Sequence, residues 1–229
     1  MSEKSMKNIR LLPKSRFEEM YRKLSETINP KPELEFHSAF ELLVAVLLSA
    51  QCTDKCVNRV TAELWKKVHT PQDYIDMGFT ALAEAIHSIG FFNTKAKHIL
   101  ELCRILIERH SGEVPNTFEE LTALPGVGVK TANVVLNLWF GKPVIPVDTH
   151  IFRVAHRCGL SDAATPEAVE QDLESKTPAK YAKDAHHYLL LHGRYTCKAI
   201  KPNCGECPIF SLCKKNEIVS KRKVDSKNK

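Results

Sequence analysis

Apolar residues along this chain recur at intervals of three and four from near its start to beyond residue 190. Phe17, Met20, Tyr21, Leu24 and Ile28 trace a first amphipathic helix that the pattern ends at Pro30. Pro30 and Pro32 read as a linker. Ser38 and Glu41 then form a capping box, and the segment from Leu42 to Ser49 is apolar on every side, so it predicts a core helix. Val57, Val60, Leu64 and Val68 carry the next helix. Thr70-Pro71 starts another, and Thr80 opens a short one ending at Gly90. Ala96 to Ile107 mark a long helix closing near Gly112. Thr117 to Ala123 is short, and Val129 to Phe140 follows it after a glycine-containing turn. Beyond Pro146 the pattern predicts an Asp148-capped helix stopped by Gly159, a Thr165-Pro166 start, and a Thr177-Pro178 start reaching about His192. Val144 to Val147 is strand-like but brief, and Pro146 would interrupt a ladder. The expected fold class is all-α.

Composition narrows this picture only slightly. With 229 residues, 43% apolar and 26% charged, the chain can bury one or two cores and is not disordered as a whole. A formal charge of +6 suits a polyanionic partner, though a solubility charge can be as large. The polar segment Met1 to Arg10 lacks the apolar stretch of a secretory signal, and the run Leu42 to Leu48 falls far short of the ~20 residues that span a bilayer. The expected location is the cytoplasm. From Lys214 to Lys229 seven Lys/Arg stand against two acids, which predicts a basic C-terminal tail.

In a reducing compartment eight cysteines are ligands or buried thiols rather than disulfides. Cys52, Cys56, Cys103 and Cys158 are scattered, whereas Cys197, Cys204, Cys207 and Cys213 crowd together. Four thiolates so close can surround one metal centre, zinc or iron–sulfur, and spacing alone does not choose between them.

The string Leu124-Pro125-Gly126-Val127-Gly128-Val129-Lys130-Thr131-Ala132 joins two helices through a turn with two glycines. Such a turn permits positive φ and leaves the unpaired N–H groups of the next helix facing outward, a site for phosphate without base readout. A bare Gly-x-Gly also serves as a plain tight connection, but the full string resembles the helix–hairpin–helix motif of DNA-binding proteins. Lys130 lies in the first turn of the second helix, where the dipole disfavours a cation. A phosphate contact or an amine nucleophile would account for it, and the residue alone does not decide. Asp148, before Thr149-His150, is an ordinary helix cap that can also handle protons and stabilise charge. His186, His187 and His192 read mainly as packing or hydrogen-bonding groups.

Together with Leu47 to Asp54, Val147 to His150 and His192 to Tyr195, these motifs resemble the endonuclease III family of DNA glycosylases and abasic-site lyases, from about Ser38 to Cys213. The resemblance implies a six-helix barrel over residues 32–142 and a [4Fe–4S] cluster domain built from 1–31 plus 143–213, with the basic tail 214–229 beyond. It implies a monomer acting on double-stranded DNA that contains oxidised pyrimidines or abasic sites, in a groove with Lys130 and Asp148 on opposite lips. Lys130 would attack C1′ of an extruded nucleotide, with Asp148 as its catalytic partner. Gly126 and Gly128 would hold a phosphate, Gln51 would fill the vacated space, and Phe91 would stand where the family carries a leucine wedge. Cys197, Cys204, Cys207 and Cys213 would ligate the cluster. Val129 replaces a basic residue common before the lysine, and Lys198 and Lys201 leave the cysteine loop less positive than usual. Ala45 stands where related adenine glycosylases carry a catalytic glutamate, which argues against that activity. The alternative from another class is a non-catalytic DNA-binding or redox-sensing protein.

Overall fold

Phe17, Met20, Tyr21 and Leu24 are fully buried, so the first apolar stripe does face a core. A computed structural model describes residues 10–215; positions 216–229, most of the basic tail, lie outside the described residues. The described residues form helices and loops without a strand. They divide into two compact units, 32–142 and 10–31 plus 143–215. No described helix is long and apolar enough to cross a membrane.

The unit 32–142 holds six helices: α2 (Ala39–Ser49), α3 (Asp54–Leu64), α4 (Pro71–Ala85), α5 (Phe92–His110), α6 (Phe118–Thr122) and α7 (Val129–Leu138). α2 is buried from Phe40 to Leu48 and packs against α3, α5 and α7, as its all-round apolar sequence requires. Ser38 Oγ accepts the Glu41 N–H at 3.1 Å. The return bond differs from the expected box, because Glu41 Oε2 accepts the N–H of His37 at 2.7 Å rather than that of Ser38. The two helices expected after Thr70 and Thr80 are the two halves of α4, separated at Gly78, whose φ of 75° and ψ of 172° break the helical path.

The other unit comprises α1 (Phe17–Ser25), α8 (Thr149–Cys158), α9 (Pro166–Lys176), α10 (Ala179–Ala182) and α11 (Ala185–Leu191), continued by a π-type turn at His192–Thr196. α1 stops three residues before Ile28, which still packs on this core from the following turn. The late helix expected from Thr177 to His192 is broken at Lys183-Asp184 into α10 and α11. Asp has a low intrinsic preference for helix interiors, and Asp184 stands at the break without a side-chain capping bond. Tyr21 ties the two chain segments of the unit together: its hydroxyl hydrogen bonds Thr177 Oγ1 at 2.9 Å, and its ring stacks on Tyr181 at 5.7 Å.

Candidate functional site

The glycine turn of unit 32–142 connects α6 to α7. Gly126 has φ of 77°, and a Cβ there would lie 2.9 Å from His98 Nδ1 on α5, so both the backbone and the close approach exclude a side chain. We expect Gly126→Ala to lower stability by about 1–2 kcal/mol through the left-handed strain alone. It should also weaken DNA binding in a titration against abasic-site duplex. Gly128 is the N-cap of α7, and nothing lies within 4 Å of where its Cβ would be. Side chains of Ser38, Thr53, Thr70, Thr117, Asp148 and Thr165 cap α2, α3, α4, α6, α8 and α9, but no side chain caps α7. α1, α5, α10 and α11 lack such a cap too, so it is the glycine turn in front of α7 that suits its first-turn amides to an anion. Lys130, solvent-exposed, rises from that same turn.

Two other named residues share an uncommon backbone. Gln51 and Phe91 are both exposed, with φ of 57° and 58°, in the left-handed region that non-glycine residues seldom occupy. They sit on adjoining segments, since a Cβ on Gly90 would meet the Gln51 carbonyl at 3.8 Å. Phe91 is 68% exposed, a large apolar ring offered to solvent. Strain of this kind persists where the surroundings hold it. Lys95 supplies the hold: buried on α5, it donates to the carbonyls of Leu48 at 2.9 Å and Ala50 at 2.6 Å, capping the C-terminus of α2. Burial lowers its pKa, while nearby Cys52 opposes this. Nothing in the sequence singled out Lys95, since a lysine on a helix ordinarily points to water.

In the other unit Asp148 is half-buried at the start of α8, and its Oδ1 accepts the N–H groups of His150 at 2.9 Å and Ile151 at 2.8 Å. The capping role is thus filled. Beside it, Glu170 on α9 accepts the Val147 N–H. Burial, with Glu174 next, pushes its carboxyl up to about 7 against that bond. The folded state therefore favours the protonated acid. The stabilisation is complete below the ordinary value of 4.5 and is lost as pH rises through about 7. We expect Glu170→Gln to raise the thermal midpoint above pH ~7 and to leave it unchanged at low pH, where both side chains are neutral.

Further along α8, Arg157 is buried and donates to the carbonyls of Lys198 at 2.6 Å and Ala199 at 3.0 Å. Arg153 donates to the carbonyls of Cys197 at 3.1 Å and Gly193 at 2.8 Å. The helix that begins at Asp148 thereby fixes the cysteine segment. Sequence reading missed both arginines, because their amphipathic helix has no pattern that marks a loop partner distant in sequence.

All four clustered cysteines line one pocket, with Cys158 and His192 also in its wall. No disulfide joins the described cysteines. Donors already point at sulfur: Lys215 N–H lies 3.4 Å from Cys213 Sγ, and Arg157 Nη1 lies 3.8 Å from Cys197 Sγ. Among the described residues no three ligand side chains converge as they do on a single metal ion. Thiols spread around a pocket, with N–H groups aimed at them, fit a multi-iron core whose sulfurs accept such bonds. Burial raises the Cys197 thiol, and raises Cys207 to about 11, so loading the site must release protons. His192 is buried 3.9 Å from Cys207 Sγ, and desolvation holds its ring near 4 and neutral. His186 and His187 are buried and pack edge to face at 5.1 Å.

Comparison with known proteins fits this geometry. Residues 44–179 match the family described as HhH-GPD superfamily base excision DNA repair protein, and residues 197–213 match the iron–sulfur binding domain of endonuclease III. The chain is 50% identical to endonuclease III of Haemophilus influenzae over 204 residues, covering 89% of this chain and 97% of that protein. Against endonuclease III of Escherichia coli K12 it is 52% identical over 193 residues, 83% of this chain and 92% of the other. Among solved structures, a trapped endonuclease III–DNA covalent intermediate aligns with a TM-score of 0.85 at 41% identity, over 92% of this chain and all of that one. A thermostable thymine-DNA glycosylase aligns with a TM-score of 0.79 at 25% identity, over 90% and 96%.

Proposed function

Because the chain belongs to the HhH-GPD superfamily of base excision DNA repair proteins, and within it to the endonuclease III family, we propose that it removes oxidised pyrimidines through Lys130. It is a DNA glycosylase and abasic-site lyase with a [4Fe–4S] cluster. The observation that carries the assignment to Lys130 is its exposure in the first turn of the described helix that opens on a glycine with open space around it and no capping side chain.

In this reading the uncapped amides of α7 and the Gly126–Gly128 turn hold a backbone phosphate, which sets the register without reading sequence. Phe91 wedges into the base stack and Gln51 occupies the gap left by the extruded nucleotide. The neutral Lys130 amine attacks C1′, forming a C–N bond as the C1′–base bond breaks and the base leaves with a proton. Asp148 stabilises the positive charge that develops on the sugar and relays the amine proton. Ring opening gives a Schiff base, which acts as an electron sink. Loss of a C2′ proton then expels the 3′ phosphate.

Residues 32–142 act as the helix–hairpin–helix barrel, and residues 143–213 with the N-terminal segment form the cluster domain. Cys197, Cys204, Cys207 and Cys213 hold the cluster, which supplies structural order to the loop that α8 grips through Arg153 and Arg157. Double-stranded DNA is the partner, the protein acts as a monomer, and its place is with the chromosome in the cytoplasm. Borohydride reduction in the presence of abasic-site duplex tests the reading. A covalent adduct mapping to Lys130 by peptide mass is expected, whereas a non-catalytic DNA-binding protein gives none.

A further inference from the structure

Cys52 and Cys56 belong to none of the machinery described so far. Cys52 follows Gln51 directly, and Cys56 occupies the first turn of α3, where its N–H donates to Thr53 Oγ1 at 3.3 Å. The two thiols lie close enough to interact, and both are partly open to solvent. The pair also touches the neighbouring segment, since Cys56 Sγ lies 4.0 Å from the carbonyl of Ser88. Two adjacent thiols reachable by small oxidants, in a protein with an iron–sulfur pocket elsewhere, form a separate redox-capable group.

We propose that Cys52 and Cys56 are a reversible oxidation site whose disulfide displaces Gln51 and weakens DNA binding. The oxidant is a peroxide. Cys56 sulfur attacks one peroxide oxygen, breaking the O–O bond and giving a sulfenic acid and water. Cys52 sulfur then attacks the sulfenic sulfur, forming the S–S bond and expelling a second water. The two thiols lose two electrons and the peroxide gains them. The order of attack follows the surroundings. Arg59 Nη2 donates to Cys56 Sγ at 3.7 Å, giving that sulfur a cation at hand. Burial first, and the bond to Cys56 next, hold Cys52 above the ordinary thiol value, with Lys95 opposing, so Cys52 serves as the resolving thiol.

The coupling to Gln51 is mechanical. Closing two neighbouring thiols to an S–S bond of ~2.05 Å draws the sulfurs well inside their van der Waals contact distance. On one side, Lys95 fixes the Leu48 and Ala50 carbonyls. On the other, Cys56 is held within α3. The movement must therefore fall on residues 51–53, where Gln51 already has a left-handed backbone.

The test uses the full-length protein with its cluster intact, exposed to hydrogen peroxide while the visible absorption spectrum scores any cluster loss. Trypsin cleaves after Lys55, between the two cysteines, so a disulfide leaves a linked pair of peptides that dithiothreitol separates. Expected are that linked pair and a roughly tenfold drop in affinity for abasic-site duplex, both reversed by dithiothreitol. Cys56→Ser and Cys52→Ser should each bind DNA normally and lose the sensitivity. Absence of the linked pair, or an equal affinity drop in Cys56→Ser, overturns the proposal. The effect on DNA rests on the functional reading above, but the disulfide is read by mass alone. If the reduced protein does not bind abasic-site duplex, the enzyme reading fails instead.

Discussion

Lys130→Gln is expected to abolish covalent capture by borohydride and to slow strand cleavage by about 10³-fold or more. Glutamine keeps most of the length and polarity but has no amine to form a Schiff base. Lys130 is exposed, so the substitution should change stability by no more than about 0.5 kcal/mol. Affinity for abasic-site duplex should change by less than about tenfold, because at most one phosphate contact of ~1 kcal/mol is at stake. Single-turnover cleavage and gel-resolved trapping, run beside a binding titration, measure all three. Rescue by another amine is not expected. Lys95 is buried and donates to two carbonyls, so it cannot replace Lys130 without releasing the C-terminus of α2. Undiminished trapping in Lys130→Gln would remove the basis of the mechanism.

Cys207→Ser should have the largest effect on stability. One of four thiols lining the pocket is lost, and its serine replacement is a hard, poorly matched ligand for iron. Iron and sulfide content and visible absorption should fall together. The unit built around α8 should lose on the order of 4 kcal/mol, as when a structural metal site is removed. The unit 32–142 has its own core around the wholly buried α2. Thermal unfolding should therefore split into separate transitions in place of one. Cys158→Ser is the informative contrast. Cys158 lines the same pocket, but it lies outside the matched segment 197–213 and should be dispensable for iron. Equal iron loss in both variants would show that the ligand set is wrong.

Much of the helical plan follows from local chemistry. Thr70-Pro71, Thr165-Pro166 and Asp148 start helices because a side-chain oxygen accepts a first-turn amide, and those bonds form where expected. The break at Lys183-Asp184 was not legible, because flanking apolar residues continue the period across it. The gap lies in how little a single backbone step disturbs a pattern of period 3.6. Similarly, Ile28 fits the stripe of α1 while packing from a turn beyond its end.

The sequence by itself determined the all-helical class, the glycine turn that leaves amides uncapped, the lysine placed beside them, and four thiols close enough for one centre. Each depends on residues near in the chain, where covalent geometry and hydrogen-bonding partners act over a few positions. Tertiary structure alone decided that Lys95 secures the turn bearing Gln51 and that Arg153 and Arg157 hold the cysteine loop. It also drew Cys158 into a pocket whose other cysteines lie some distance along the chain. The first two are long cationic side chains bonded to carbonyls up to 47 residues away, and no local periodicity encodes which carbonyls the packed fold will leave without a donor.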